Sequence, residues 1–137
     1  MIEVLKDHDY PLIPLVYAKG FADKAWEEDW YKISQFNKET VWVYKDKEIK
    51  AFIISFYAKS RPYISVLTVV PESTRKGIAS KLLNHCIYYW LKDYDSIYLH
   101  VEKDNPPAIK LYKKHGFEVI EEDQVHYYMK REKTWKK

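Results

Sequence analysis

The sequence predicts an α/β fold in which one mixed β-sheet carries helices on both faces. Hydrophobic patterning along the 137 residues gives elements in the order β-α-α-β-β-β-α-β-α-β-β. The strand–helix–strand unit from Ile64 to Val101 predicts a right-handed parallel crossover. The length, together with the lack of repeats or low-complexity linkers, predicts a single domain over residues 1–137.

The N-terminal part predicts one strand and two helices. The strand is "IEVL", and Asp9 has the residue type of a helix N-cap, with Pro11 in the first turn and Gly20 at the end. A second helix is expected because apolar residues recur at helical spacing, namely Ala22, Ala25, Trp26, Trp30 and Ile33.

The middle of the chain predicts three strands and an amphipathic helix. "VWVYKDKEIKAFIISFYA" is typical of a hairpin around "KDKE", and "PYISVLTVV" is a third strand of the same sheet. Gly77 opens a helix that runs to about Trp90. Its apolar stripe includes Cys86, which we therefore interpret as a buried packing residue and not as a nucleophile.

The C-terminal part predicts a strand, a helix and a closing hairpin. The strand is "SIYLHV", Asn105 caps the helix with two prolines at its first positions, and Gly116 ends it. "FEVIEE" and "VHYYMKRE" form the hairpin, and the charged tail "KTWKK" is expected to be frayed.

Composition argues against several classes of function. The formal charge of +3 is too small to favour a nucleic-acid partner, and the histidines have no metal-ligand spacing, so no metal is expected. A single cysteine excludes an intrachain disulfide. The sequence shows neither a signal peptide nor an apolar run long enough to cross a membrane. We expect a cytoplasmic domain with no membrane partner.

The stretch "VVPESTRKGIASKLL" predicts an anion-binding turn. A strand leads through a short turn into a helix, whose first N–H groups have no partner within the helix and favour a phosphate. Gly77 leaves room at the backbone, and Arg75 and Lys76 add positive charge. The common nucleotide-binding motifs are absent. On this stretch alone, an ordinary helix start is the alternative.

A second segment one strand later gives the turn a specific meaning. "VVPESTRKGIA" and "NPPAIKLYKKHGF" together resemble the Gcn5-related N-acetyltransferase family in order and spacing. The resemblance extends over essentially the whole chain and implies a central, mostly antiparallel sheet that binds acetyl-CoA. One position departs from the family pattern, because Thr74 stands where a Gln or Arg is usual and Arg75 is shifted by one.

The resemblance implies a role for each matching residue. The strand before Pro71 splays from the next strand and offers the backbone of Leu67, Thr68 and Val69 to the cofactor. Asn105 lies near the pantetheine, or acts purely as a helix cap. The pyrophosphate is held by the turn and the first residues of the helix, which are Arg75, Lys76, Gly77, Ile78, Ala79 and Ser80.

Two further residues carry the chemistry that the resemblance implies. Tyr112 matches the tyrosine that meets the departing sulfur, and a phenol with a pKa near ~10 can protonate a thiolate. His100 lies where some relatives that acetylate protein N-termini have a Glu, and a neutral imidazole suits a general base. The alternatives to His100 as base are Glu102 or water, with His100 as a structural residue.

The resemblance implies an acetyl-CoA-dependent N-acetyltransferase that acts by direct attack of a primary amine in a ternary complex. The amine belongs to a small molecule, a protein N-terminus or a lysine side chain. The rival function is a non-catalytic acyl-CoA-binding or sensor domain. Whether the chain is a monomer or a homodimer is open. Residues proposed for the acceptor pocket are Trp26, Glu28, Tyr31, Tyr127 and Tyr128.

Overall fold

A single seven-stranded sheet organises the computed structural model, which describes residues 1–20, 40–74 and 77–135. Its order is β1-β2-β3-β4-β5-β7-β6, and the β4–β5 pair is parallel while the other pairs are antiparallel. The strands are β1 (Ile2–Val4), β2 (Val41–Asp46), β3 (Glu48–Ala58), β4 (Arg61–Val69), β5 (Ser96–Glu102), β6 (Glu118–Glu122) and β7 (His126–Glu132). The predicted fold class is confirmed, as is the parallel crossover between β4 and β5.

Three α-helices flank the sheet in the described part of the chain. They are α1 (Ile13–Gly20), α2 (Ile78–Leu91) and α3 (Pro106–Lys114). Short 3-10 helices precede α1, at Asp7–Leu12, and follow β4, at Pro71–Ser73. The second helix that we predicted from Ala22 to Ile33 lies outside the described residues.

Left-handed residues close the first two hairpins. Lys47 has φ 66° between β2 and β3, inside the predicted "KDKE" turn. Between β3 and β4, Lys59 (φ 52°) and Ser60 (φ 67°) are both left-handed. Two consecutive left-handed residues match the twist of the flanking strands, so this connection needs no longer loop.

The sheet separates two buried clusters. The cluster on one face, which we call the α2 face, contains the inner side of α2 together with Tyr112 of α3 and Phe117. The other face, which we call the α1 face, is covered in part by α1 and contains Leu5, Ile13, Val16, Phe52 and Val66. Strand alternation therefore determines which side of the molecule each β4 and β5 side chain reaches.

The predicted N-cap role of Asp9 is wrong. Asp9 lies inside the 3-10 helix, and α1 begins four residues later, at Ile13. Its carboxylate is 2% exposed and lies 3.2 Å from the Lys45 ammonium on β2, and it also accepts a hydrogen bond from the Lys6 N–H. A buried carboxylate is stabilised by an opposite charge. Asp9 therefore ties the N-terminal segment to the sheet.

The predicted fraying of the C-terminal tail is wrong for residues 133–135. The Lys133 N–H donates to the Asp95 carbonyl oxygen at 2.8 Å. The Trp135 ring stacks on Tyr88 of α2 with their centroids 6.0 Å apart. The tail is thus docked beside the start of β5 and the outer side of α2.

Candidate active site

Gly77 ends the turn between β4 and α2 in the left-handed conformation, at φ 76° and ψ 8°. L side chains disfavour this conformation, which explains why one of only three glycines in the sequence lies here. A Cβ built on Gly77 would meet no atom within 4 Å. The space in front of the turn is therefore open, and the constraint on residue 77 comes from the backbone.

A pocket of about 330 Å³ lies at this turn. It combines the first turn of α2 with the end of β4 and one side of α3, so the two sequence motifs meet in it. Its lining residues are Val69, Ser73, Thr74, Gly77, Ile78, Ala79, Ser80, Leu111 and Lys114. A larger depression, of about 460 Å³, lies around Asp95 and Trp135, but neither motif contributes to it.

Positive potential in the pocket comes from the backbone and from Lys114. The first N–H groups of α2 have no acceptor within the helix, and the helix dipole adds partial positive charge. Lys114 contributes an ammonium from α3. Arg75 and Lys76, which the resemblance assigned to the cofactor, lie outside the described residues. The rest of the turn still has the donors that an anionic group needs.

Thr74, which stands where the family pattern has Gln or Arg, bonds within the turn. Its hydroxyl donates a hydrogen bond of 2.9 Å to the Pro71 carbonyl oxygen, and its N–H is directed at the same oxygen at 3.2 Å. Thr74 thus closes the 3-10 helix that precedes Gly77.

The sheet splits beside this pocket. β4 and β5 pair at Tyr63–Tyr98 and Ile64–Leu99 and at no later residue of β4. Leu67, Thr68 and Val69, which the resemblance assigned to the cofactor, therefore lie on a strand edge that β5 does not cover. The Thr68 side chain is 2% exposed, and its hydroxyl has no hydrogen-bond partner in the described structure. An orphaned buried hydroxyl beside an open strand edge fits a polar ligand between the strands.

Tyr112 lies on the α2 face, next to Leu111 of the pocket lining. Its side chain is 7% exposed, and its ring meets the Phe117 ring edge-on with their centroids 5.7 Å apart. Burial raises the pKa of the phenol well above its usual range, and the nearby Cys86 thiol adds to this effect. The hydroxyl therefore keeps its proton at neutral pH, as an acid must before it donates.

Cys86 is fully buried on the inner side of α2. Burial raises the pKa of its thiol to about 12. The thiolate, which is the nucleophilic form, is therefore scarce at neutral pH. The structure confirms Cys86 as the buried packing residue that the sequence predicted.

Asn105 caps α3 as predicted. Its side-chain Oδ1 accepts a hydrogen bond of 3.4 Å from the Ala108 N–H, and the Asn105 carbonyl oxygen accepts one from Ile109. The cap sets the start of α3 directly after β5. Asn105 is half-buried, so it remains partly accessible while it caps α3 at the end of the sheet where β4 and β5 separate.

His100 lies on the α1 face of β5, opposite to Tyr112. The neighbouring residues Leu99 and Val101 are buried on the α2 face, as strand alternation predicted. The His100 side chain is exposed, but protein atoms around its ring displace part of its hydration shell. This desolvation lowers the pKa of the imidazole. The nearby His126 lowers it further, whereas Asp123 and Glu102 raise it.

The structure separates the two tyrosines proposed for the acceptor pocket. Tyr128 lies directly across from His100, with their ring centroids 5.9 Å apart. Tyr127 packs against the cluster on the α2 face, where the Lys103 ammonium lies 5.1 Å from its ring. Only Tyr128 of this pair is therefore next to His100. The other proposed residues, Trp26, Glu28 and Tyr31, lie outside the described residues.

Comparison with known proteins agrees with this geometry. The family described as "Acetyltransferase (GNAT) family" matches residues 6–117. The chain belongs to this family. N-alpha-acetyltransferase 50 of Danio rerio is 42% identical over 71 residues, which make up 50% of this chain and 42% of that protein. The match therefore spans less than half of that relative's length.

Solved structures of GNAT fold superpose on nearly the whole chain. A crystal structure from Pyrococcus horikoshii OT3 has a TM-score of 0.83 and 22% identity, over 98% of this chain and 99% of that chain. Arabidopsis thaliana Naa50 in complex with the bisubstrate analogue CoA-Ac-MVNAL has a TM-score of 0.81 and 23% identity, over 97% and 98%. At these identities, the superpositions establish the fold.

Two negative findings apply to the described part of this GNAT domain. No group of three or more His, Cys, Asp and Glu residues there is arranged to hold a metal ion. None of the helices there is both long and apolar enough to cross a membrane.

Sequence reasoning missed two groups of residues in the GNAT site. The Nε2 atom of His115 lies 3.0 Å from the Ser80 hydroxyl, and Arg131 of β7 donates a hydrogen bond to the His115 carbonyl oxygen. β7 is therefore linked to the pocket lining through His115. Asp123 and His126 lie beside His100 on the α1 face. The Asp in "EDQVHYY" is a turn signal, but placing His126 next to His100 requires the register between β5 and β7.

Proposed function

We propose that this domain transfers the acetyl group of acetyl-CoA to a primary amine by direct attack in a ternary complex. The observation that carries the proposal is the split between β4 and β5. The split opens beside the Gly77 pocket, whose lining includes Val69 of β4 and Leu111, the neighbour of Tyr112. His100 is the first β5 residue beyond the last β4–β5 pair and lies on the α1 face. An extended thioester that lies in the split reaches both Tyr112 and His100, although they occupy opposite faces of one sheet.

Each side of the split supplies what the reaction needs there. Gly77, Ile78, Ala79 and Ser80 bind the pyrophosphate through their backbone N–H groups, and Arg75 and Lys76 add charge. Leu67, Thr68 and Val69 bind the cofactor along the open edge of β4, and Asn105 contributes from the start of α3. The thioester supplies an activated acyl group with a thiolate as leaving group.

Proton transfers are assigned to the two catalytic candidates. Tyr112 donates its phenolic proton to the departing sulfur, since a phenol is protonated at neutral pH and the raised pKa of Tyr112 leaves this unchanged. His100 accepts a proton from the attacking amine, because its lowered pKa keeps the imidazole neutral at physiological pH. The two pKa shifts thus favour the starting protonation state of each residue.

The acceptor that suits this base best is a peptide α-amine. With a pKa of about 7.7–8.0, roughly 10–20% of α-amines are already neutral at pH 7, against less than about 0.1% of lysine amines. The Danio rerio relative is named as an N-alpha-acetyltransferase, and the Arabidopsis structure contains an analogue that joins CoA to a peptide. We propose a protein or peptide N-terminus as the acceptor class.

The experiment uses a matched pair of peptides and acetyl-CoA. One peptide has a free N-terminus and an internal lysine, and the other has the same sequence with an acetylated N-terminus. We expect CoA release and a mass gain of one acetyl group with the free peptide alone. Acetylation of the blocked peptide would move the acceptor to lysine. Tight acetyl-CoA binding without turnover on any amine would favour the sensor function.

A further inference from the structure

A second titratable residue, His126, lies beside His100 at the start of β7. The β5–β7 register places His126 across from Glu102 and Tyr128 across from His100, so all four side chains share the α1 face. The His100 and His126 rings meet edge-to-face, with their centroids 5.2 Å apart and their planes at 87°. At this separation, a charge on one imidazole changes the electrostatic energy of a charge on the other.

Asp123 fixes the position of His126. Its Oδ1 accepts hydrogen bonds from the N–H groups of Val125, at 2.8 Å, and of His126, at 2.6 Å. Its Oδ2 accepts one from the Tyr128 hydroxyl, at 2.9 Å. These hydrogen bonds lower the pKa of Asp123 to about 2, the backbone donors contributing most. Asp123 is therefore a permanent carboxylate at neutral pH, 3.5 Å from His126 Nδ1.

We propose that His126, held by Asp123, is a positioning residue that orients His100 and sets the pH range in which His100 acts as a base. The inference rests on the proposed function, because it assigns His126 to the same proton transfer. A protonated His126 repels a protonated His100 and so favours the neutral, proton-accepting form of His100. The Asp123 carboxylate limits this repulsion and keeps the His126 ring in place.

The other charged groups near His100 lie on β5 itself and on the strands β4, β6 and β7. On β5 itself, Glu102 shares its face and raises its pKa. On β6, Glu121 lies across from Tyr128. On β4, the charged residue is Arg61, at the far end, 4.3 Å from the Tyr98 ring. On β7, Lys130 shares the α1 face across from Tyr98, and its ammonium lies 3.1 Å from the Glu132 carboxylate. His126 is the group on β7 whose ring contacts the His100 ring.

The test measures the pKa of His100 directly, by following its imidazole signal in NMR between pH 4 and pH 9. We expect His126→Asn to raise the pKa of His100 by about 0.5 pH unit, the size expected for one charge at about 5 Å in a water-like medium. Asp123→Asn should shift the same pKa downward. The matched control is His85→Asn, because His85 is exposed on the α2 face and contacts Trp42.

The pH profile of kcat/KM separates this inference from the proposed function. The acidic limb should move upward in His126→Asn by the same amount as the NMR pKa of His100. An NMR shift without a matching kinetic shift keeps the His100–His126 coupling and removes His100 as the base. An unchanged pKa of His100 in a folded His126→Asn protein overturns the inference. If this variant unfolds, His100→Asn tests the same coupling through the His126 signal.

Discussion

At the scale of single residues, opposite environments prepare the acid and the base of the site. Tyr112 is buried among apolar side chains, which penalise the phenolate. His100 lies on a strand face beside another imidazole, which penalises the imidazolium. The pKa values of the two residues therefore move apart, Tyr112 upward and His100 downward. Both residues consequently start the reaction in the required form.

Tyr112→Phe tests the acid without disturbing the packing. The ring and its contact with Phe117 remain, and the phenolic proton is removed. We expect acetyl-CoA affinity in calorimetry to stay near that of the unaltered protein, with turnover reduced by about 10- to 1000-fold, or roughly 1.4–4 kcal/mol of barrier. Tyr98→Phe is a matched control, because Tyr98 lies on the α1 face. Normal turnover in Tyr112→Phe would exclude the acid role.

His100→Ala tests the base through pH dependence. Because the pKa of His100 is lowered, the imidazole of the unaltered protein is neutral above about pH 6.5 and protonated only in more acidic solution. We expect turnover to fall by ~10²-fold at pH 7 and the deficit to shrink toward pH 9, where the amine loses its proton unaided. The measurement is kcat/KM across this range, with His85→Ala as control. A small deficit that is equal at every pH would leave Glu102 or water as the base.

At the scale of elements, local signals predicted the helix starts around the site, and long-range contacts caused the errors. Gly77 and Asn105 act within a few residues of their helices, so their roles could be read from the sequence. Asp9 failed as a cap because Lys45, on a distant strand, holds its carboxylate. The position of His126 likewise depends on strand register. The splay of β4 from β5 came from the family resemblance, because no local pattern encodes it.

Gly77→Glu and Gly77→Gln separate backbone strain from charge at the pocket. Both place a side chain of similar size at φ 76°, and the strain is about 1–2 kcal/mol in each. Only Glu adds a negative charge in front of the α2 N-terminus. We expect a modest loss of acetyl-CoA affinity for Gln and a much larger loss for Glu in calorimetry, with folded spectra for both. Equal affinities of the two variants would exclude pyrophosphate binding at this turn.

At the scale of the whole molecule, the split that opens the site weakens the sheet, and α2 bridges it. β4 and β5 share two residue pairs, so backbone hydrogen bonds contribute little there. α2 packs across β2, β3, β4 and β5 and buries its apolar face against both sides of the split. Buried apolar contacts thus hold the two parts of the sheet together where the strand ladder stops.

A buried hydrogen-bond chain fixes the end of α2 to this sheet, and Ser55→Ala tests it. The Trp90 Nε1–H donates to the Ser55 hydroxyl at 2.8 Å, and that hydroxyl donates to the Thr40 carbonyl oxygen at 2.8 Å. Ser55 is fully buried, so its removal leaves the indole N–H without an acceptor. We expect Ser55→Ala to lower the free energy of unfolding by about 1–3 kcal/mol in urea titrations.

Ser65→Ala is the matched control for this stability prediction, because Ser65 is exposed on β4 and its removal should change the free energy of unfolding by less than about 0.5 kcal/mol. The m-value should be unchanged in both variants, since the surface exposed on unfolding is the same. Saturating acetyl-CoA should stabilise Ser55→Ala and the unaltered protein by equal amounts. The reason is that the Trp90–Ser55–Thr40 hydrogen bonds lie at the last turn of α2, away from the Gly77 pocket. Equal stability of Ser55→Ala and Ser65→Ala would show that packing alone holds α2 across the split.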